Sequence, residues 1–399
     1  MPEKKCKFYK KCGGCQLDMP YEAQLEYKMK LEQKLLGKFG NVSPIIGMYY
    51  PYHYRNKVQA AFYKDARSGQ ILSGVYQSNS KKIVPVDECM IEDKKADEII
   101  QTIRKLAKDF RFLPRHVLVK HSPNTNEIMV VVVTDSPILP AKKNFCKALL
   151  KEHPEITTII HNINPYDTSL VLGPREEILF GPGYITDKLL GCTFRISAKS
   201  FYQINSTQTE KLYTTALTYA GLITDNKTKE NNNKPSKTNN KEQQTKQTTN
   251  NITVLDAYCG TGTIGILAAK HGAAQVIGVE LGKSAVKDAI QNAKQNQIKN
   301  IHFCNADATE FITELAQNKE TVDVVILDPP RAGSTEAFLD AVAALSPQKI
   351  VYVSCNPETL QRDLDYITKK HYKVTAIQPV DMVPHTTHIE TVVTLDFCI

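Results

Sequence analysis

From residue 253 onward the chain repeats one unit: a short run of branched apolar residues, a turn, then a stretch of helical periodicity. The pairs are 253–257 with 263–270, 275–280 with 284–295, 323–327 with 335–344, and 349–353 with 359–370; strand-like runs at 373–379 and 391–397 close the series. Runs such as Val324-Val325-Ile326-Leu327 carry no polar alternation, so both faces of such a strand must be covered. Strands and helices in this rhythm specify an α/β fold with a doubly wound, Rossmann-like parallel sheet. Ligands of such a sheet sit beyond the carboxyl ends of its strands, and those ends are where chemistry is expected.

The first strand ends in Asp256-Ala257-Tyr258-Cys259-Gly260-Thr261-Gly262-Thr263. Gly260, Gly262 and Gly265 satisfy the Gly-x-Gly-x-x-Gly spacing of a dinucleotide site. Asp256, four residues before the first glycine, is an awkward neighbour for a pyrophosphate, whereas an acid there suits the amino end of S-adenosylmethionine. Glu280 ends the second strand with a carboxylate suited to a ribose diol, which serves either cofactor. Asp328, in Leu327-Asp328-Pro329-Pro330-Arg331-Ala332-Gly333, ends the next run beside the cofactor mouth. Amine-directed methyltransferases often carry an aromatic after Asp-Pro-Pro; here it is Arg331.

The following strand runs out into Ser354-Cys355-Asn356-Pro357. A lone cysteine is more often a small buried residue than a nucleophile, but one at a helix start can have its pKa lowered. A thiol beside a carboxylate is what carbon methylation of a pyrimidine requires, and amine methylation does not. The thiolate adds to C6, C5 takes the methyl group from the sulfonium, and a base removes the C5 proton so that the thiol can leave. The segment 381–390 supplies candidates for that base, with Glu390 best placed. His385 and His388 could serve instead, bind a metal, or be hydrogen-bonded structural groups.

Near the N-terminus, Cys6, Cys12 and Cys15 stand in Cys-x5-Cys-Gly-Gly-Cys, where Gly13 and Gly14 let the backbone fold tightly enough for thiolates to converge. The best candidate for a fourth is Cys89. Four thiolates suit zinc or an iron-sulfur cluster, and ligand softness does not separate the two. Asp18, Pro20 and the spacing of Leu17, Tyr21, Leu25 and Met29 predict a helix over about 18–40 with that apolar stripe in a core. Residues 49–57 alternate tyrosines with basic and amide groups, a pattern fit to stack unpaired nucleotides or to form a tyrosine-rich strand edge. Residues 81–195 read as mixed α+β, with a helix at about 94–110 and strands at 127–134, 157–162 and 169–172. Gln203 is a long amide at the start of a helix running to about 219.

Residues 224–251 contain no Val, Ile, Leu, Met, Phe, Tyr or Cys and are expected to form a disordered insert. The expected domains are 1–195, an α+β RNA-binding part carrying the cysteines, and 196–399, the catalytic part. Net charge is +8, and residues 1–64 hold twelve Lys or Arg against five acids. Arg104, Lys105, Lys108, Arg111, Arg115 and Lys120 form a second basic group, and both groups fit a polyanion partner. No apolar run approaches membrane-spanning length, and the N-terminus lacks the apolar core of a signal peptide, so no membrane association and a cytoplasmic location are expected.

Taken in order, Phe-x-Gln-x-Asn, Asp-x-x-Cys-Gly-x-Gly, Asp-Pro-Pro-Arg-x-Gly, Ser-Cys-Asn-Pro and Pro-His-Thr-x-His-x-Glu resemble the RNA uracil-5-methyltransferase family. The N-terminal cysteine run, followed by Tyr21, Gln24, Leu25 and Lys28, is similar to the iron-sulfur branch that acts on 23S ribosomal RNA. The resemblance covers the whole chain except the insert. It implies Cys355 as nucleophile, Glu390 as proton-abstracting base, Gln203, Tyr258, Glu280 and Asp328 as the S-adenosylmethionine site, and Cys6, Cys12, Cys15 and Cys89 as ligands of a [4Fe-4S] cluster. It also implies that the helix near 18–40 packs on the catalytic domain. Some members begin with a small β-barrel RNA-binding domain; here RNA affinity is expected from the basic central region, in a monomer. The alternatives are the same chemistry on transfer RNA, whose enzymes of this kind lack the cysteine cluster, or a non-catalytic, metal-stabilised RNA-binding protein.

Overall fold

The computed structural model describes residues 5–168, 170–224 and 251–398. Apart from its two end residues, the expected insert lies outside the described residues. The chain divides into two compact units that interleave in sequence: Met1–Lys28, Gly47–Thr209 and Asp381–His388 form the first, and Met29–Ile46, Glu210–Val380 and Ile389–Ile399 the second. No helix among the described residues is long and apolar enough to cross a membrane.

The first unit is built on strands β1 (Lys57–Lys64), β2 (Ile71–Tyr76), β3 (Ile83–Pro85), β4 (His116–Ser122), β5 (Glu127–Thr134), β6 (Ile156–Ile163) and β7 (Arg175–Phe180), with a separate hairpin of β8 (Ile185–Leu189) and β9 (Cys192–Ile196). The sheet order is β3-β2-β1-β4-β5-β6-β7, antiparallel except for β5 against β6. Strand β5 is apolar almost throughout because both its faces are covered. Ile128, Val130 and Val132 join helices Lys94–Asp109 and Lys142–Glu152 in one core, while Met129, Val131 and Val133 meet Ile185 and Ile196 of the hairpin in another. Residues 170–172, expected as part of a strand, are irregular; the strand that follows is β7.

Helix Tyr21–Leu36 is present, but the face it buries differs from the expected stripe. The fully buried line is Gln24, Lys28, Glu32 and Leu36, again at spacing four, whereas Tyr21, Leu25 and Met29 are only half-buried. Polar groups tolerate that burial when each finds a partner. In the first unit, Gln24 Oε1 accepts from His385 N at 2.7 Å, and Lys28 Nζ donates to Asp381 Oδ1 at 2.5 Å and to Val383 O at 3.2 Å. In the second, Glu32 Oε1 accepts from Thr391 Oγ1 at 3.0 Å.

The second unit carries β10 (Thr253–Ala257), β11 (Gln275–Glu280), β12 (Ile301–Asn305), β13 (Val324–Leu327), β14 (Lys349–Ser354), β15 (Tyr372–Val380) and β16 (Glu390–Phe397) in the order β12-β11-β10-β13-β14-β16-β15. β10 to β14 run parallel, and β16 pairs antiparallel with both β14 and β15. The expected doubly wound α/β sheet is therefore present, with one further strand-helix pair, β12 and helix Ala308–Gln317. β12 is the edge strand and only Phe303 on it is fully buried, so its sequence lacks the apolar run that marked the others. The sheet core includes Leu255, Val279, Val325, Leu327, Tyr352 and Val393, joined by Leu36 and Val42 from the N-terminal segment of this unit. From β10 the chain proceeds outward to β12 on one side and from β13 to β14 on the other, so a topological switch point lies between β10 and β13.

Candidate active site

At the carboxyl end of β10 the backbone turns sharply: Tyr258, Gly260 and Gly262 have φ of 61°, 55° and 79°. Gly262 has no room for a side chain, since a Cβ would lie 2.7 Å from Phe303 Cζ. Tyr258 is held in its left-handed conformation by ring contact with Phe338, centroids 5.0 Å apart, and burial pushes its hydroxyl up to about 12. Glu280, at the end of β11, fastens the turn: its carboxylate accepts from Gly260 N at 3.1 Å and Gly282 N at 2.6 Å. Asp256, read from sequence as available to a ligand's amino end, is instead fully buried and accepts from Gly265 N at 2.7 Å. Burial pushes its carboxyl up to about 8.

Asp328 directly follows β13, and burial pushes its carboxyl up to about 7. Cys355 directly follows β14, where Asn356 caps helix Pro357–Ile367 by accepting from Glu358 N at 3.1 Å. Ser354 pairs with Thr391 at the last rung of the antiparallel β14/β16 ladder; Cys355 follows Ser354 just outside that ladder, and Glu390 begins β16, where it pairs with Val380 of β15. The expectation that the helix start would lower the thiol's pKa is not met. Burial, then the carboxylates of Glu390 and Asp328, push the thiol up to about 11, with Arg331 acting the other way. Glu390 is itself pushed well above the usual carboxylate range by burial and by Asp328, again opposed by Arg331.

Residues that the sequence reading passed over hold this site in shape. Asn356 Nδ2 and Thr359 Oγ1 both donate to Arg331 O, at 3.1 and 3.2 Å. Arg362 Nη2 donates to Ala332 O and Ser334 O, while Asp363 Oδ2 accepts from Ser334 N and from Tyr352 Oη, each at 2.7 Å. The signal for them was weak but present: Asn356, Thr359, Arg362 and Asp363 recur at helical spacing on one face.

Tyr258, Glu280, Asp328, Cys355 and Glu390 all belong to the second unit. Gln203 belongs to the first, in the segment before helix Ser206–Tyr219, where its carbonyl accepts from Asn56 Nδ2 at 3.2 Å. His385 is also in the first unit, with Nδ1 taking Gln24 Nε2 at 3.1 Å and Nε2 facing Pro51 O at 3.0 Å, so both ring nitrogens serve packing.

Cys6, Cys12, Cys15 and Cys89 are free, half-buried thiols lining one cavity of about 410 Å³ in the first unit, together with Arg55 and Tyr52. Gly13, with φ 70°, ends the short helix Tyr9–Cys12, and a Cβ there would lie 2.5 Å from Ser78 Cβ, which explains the need for glycine between the cysteines. Burial and the neighbouring thiols push Cys15 up to about 12; burial, ahead of Glu92, also raises Cys89. Among the described residues no three His, Cys, Asp or Glu side chains form a group that could hold a metal ion. The basic central group is less of a surface than expected. Lys120 is buried and donates to Ser197 O and Ser200 O, Arg104 pairs with Asp87 at 2.6 Å, and Arg115 donates to Asn164 O and Tyr166 O.

The profile of the tRNA (Uracil-5-)-methyltransferase family matches residues 231–397. An uncharacterized RNA methyltransferase of Halalkalibacterium halodurans is 38% identical over 99% of this chain and 83% of its own length. One from Clostridium acetobutylicum is 39% identical over 97% of this chain and 82% of its own. Among solved structures, Pyrococcus abyssi tRNA (uracil-54, C5)-methyltransferase in complex with S-adenosyl-L-homocysteine superposes with a TM-score of 0.75 at 26% identity, covering 96% of this chain and 86% of that one. With this profile match and relatives 38% and 39% identical over 99% and 97% of its length, the chain belongs to the RNA uracil-5-methyltransferase family.

Proposed function

We propose that the protein transfers the methyl group of S-adenosylmethionine to C5 of a uridine in 23S ribosomal RNA through a covalent enzyme–RNA intermediate. The observation that carries this reading is that Cys355, directly after β14, and Glu390, at the start of β16, flank the last rung of the β14/β16 ladder, Ser354 with Thr391. Cys355 acts as nucleophile: its sulfur bonds to C6, and the π pair of the C5–C6 double bond moves to the C4 carbonyl oxygen. The pair returns through C5 to take the methyl group, leaving the cofactor as a neutral thioether. Glu390 then removes the C5 proton, and the sulfur–C6 bond breaks to release the thiol. Tyr258, Glu280 and Asp328 at the strand ends, with Gln203, hold S-adenosylmethionine. The target base must leave its stack to reach such a site.

Cys6, Cys12, Cys15 and Cys89 are proposed to hold a [4Fe-4S] cluster. What supports this reading is that the four thiols line one cavity in the first unit. When bound, the cluster cross-links the N-terminal residues to the loop of Cys89; every step above is polar and uses no electron from it. Protein purified without oxygen is expected to be brown, absorbing near ~400 nm as iron-sulfur thiolate centres do. A colourless, zinc-loaded protein would refute the cluster.

The cysteine run favours ribosomal RNA. Transfer RNA is the second reading, favoured by the Pyrococcus abyssi enzyme's substrate. Purified enzyme with labelled S-adenosylmethionine should label unmodified 23S RNA and leave unmodified transfer RNA unlabelled; the reverse result would exchange the two readings. RNA carrying 5-fluorouridine should trap a denaturation-resistant adduct, absent with Cys355→Ala. Survival of the adduct in that variant would remove Cys355 from its role.

A further inference from the structure

We propose that Glu32 is a positioning residue for the nucleophile and base: its carboxyl holds Thr391, and through it the strand end at which Cys355 and Glu390 stand. The inference rests on the C5-methylation reading above. Glu32 lies one turn before Leu36 near the end of helix Tyr21–Leu36, in the same unit as Thr391, Ser354, Cys355 and Glu390. Its side chain is fully buried, with Oε1 accepting from Thr391 Oγ1 at 3.0 Å and Oε2 without a hydrogen-bond partner among the described residues. Gln24 and Lys28 on the same buried line show no such defect, since Gln24 uses both its oxygen and its nitrogen and Lys28 makes two bonds. A buried carboxyl with an unpartnered oxygen lowers stability, and an apolar side chain there would avoid the loss, as Leu36 does. The gain that offsets this loss must come through the partner it does have, Thr391.

Thr391 directly follows Glu390 in β16 and faces Ser354 at the last rung of the β14/β16 ladder. Cys355 comes next after Ser354, inside a small bracket: Ser354 Oγ donates to Asn356 O at 3.1 Å and accepts from Asn356 N at 3.2 Å. The nucleophile and the base are thus each one peptide bond from this rung. The end of a ladder is its weakest part, because no further rung supports it. Pro379, opposite Thr391 on β15, has no N–H to donate. The Thr391 hydroxyl supplies an anchor in addition to the backbone, and Glu32 is a fixed point for it, since Leu36 fastens the end of the helix to the sheet core. Side chains whose geometry decides a reaction need such support, and a displacement of about 1 Å can slow a reaction by orders of magnitude. Glu32 acts through Thr391 alone and gives up no proton in the reaction.

The test compares wild type with Glu32→Gln, Glu32→Leu, Thr391→Val and the Glu32→Leu, Thr391→Val double variant. Each is followed by thermal melts, by steady-state kinetics on whichever of 23S and transfer RNA the wild type methylates, and by adduct formation with 5-fluorouridine RNA. Glu32→Leu and Thr391→Val should each lower kcat about tenfold and change KM for RNA and cofactor less than about threefold, the mark of lost positioning and not of lost binding. Glu32→Gln keeps an acceptor at Oε1 and should stay within about threefold of wild type. The double variant should be no slower than the slower single one, because either change already breaks the contact. Freed of the buried carboxyl, it should also melt above wild type at pH 8 while remaining slow, a divergence that a merely structural role would not produce. Wild-type kcat in Glu32→Leu or in Thr391→Val, or losses that multiply in the double variant, would overturn the proposal. Absence of any adduct with the wild-type enzyme would instead bring down the reading on which it rests.

Discussion

At rest, Cys355 is a thiol, not a thiolate. With its pKa pushed up to about 11, roughly one molecule in 10⁴ is ionised at pH 7. Alkylation of Cys355 by iodoacetamide should accordingly be slow at pH 7 and rise about tenfold per pH unit up to pH 10; a rate that levels off between pH 7 and 8 would contradict it. Glu390 is raised in the same direction, first by burial and then by Asp328. Glu390→Gln should form the covalent adduct with ordinary uridine RNA and fail to resolve it, leaving a species stable to denaturant. Rapid turnover by that variant would place the base elsewhere. Cys355 and Asp328 were legible because each follows an apolar run, and an uninterrupted run such as 324–327 locates the strand end to within a residue; Glu390 stands directly before the last such run. The direction of the thiol's shift was not legible: it depends on Asp328 and Glu390, which reach the cysteine only through strand pairing.

Among the elements, helix Tyr21–Leu36 departs most from its sequence pattern. Periodicity located the helix but not its buried face, because the partners of Gln24 and Lys28 lie more than 350 residues away, at His385 and Asp381. The Lys28–Asp381 pair is fully buried on both sides. Removing one member of such a pair strands the other charge, so Lys28→Met should cost about 3–5 kcal/mol, and a Lys28→Met, Asp381→Asn double variant should recover much of it in thermal melts. Glu32 behaves differently. Burial pushes its carboxyl from 4.5 up to about 7, and Oε2 has no hydrogen-bond partner. The folded protein therefore holds this proton more tightly than the unfolded chain does. The associated stability is complete below about pH 4.5 and is lost as pH rises to about 7, at most about 3 kcal/mol in all. Glu32→Gln should flatten the fall in melting temperature between pH 5 and 8; an unaltered slope would mean that Glu32 is not the group responsible. β12 was missed for a related reason, being an edge strand whose sequence has no covered face to advertise.

On the scale of the molecule, the fold class could be read from the strand-helix rhythm alone, whereas the interleaving of the units was implied only by the family resemblance. Met29–Ile46 belongs to the second unit, where Leu36 and Val42 enter the sheet core and Val42 and Ile46 bridge to Ile377 and Val380 of β15. A fragment spanning residues 210–399 would lack these contributions. It should bind the dye ANS and melt broadly, and a compact, dye-free fragment with a sharp melt would show that the N-terminal segment is dispensable. The cysteine cavity has a similar dependence in the other direction, because His385 forms part of the wall shared with Cys6, Cys12, Cys15 and Cys89. A ribosome adding about 5–20 residues per second makes the first three of these cysteines tens of seconds before it makes that histidine. During synthesis the thiols emerge as an open, reactive tail, and the chamber that encloses them closes only when translation has almost finished. Loading of the proposed cluster would therefore be an event of the released chain, and oxidants met before release are the hazard these N-terminal thiols face.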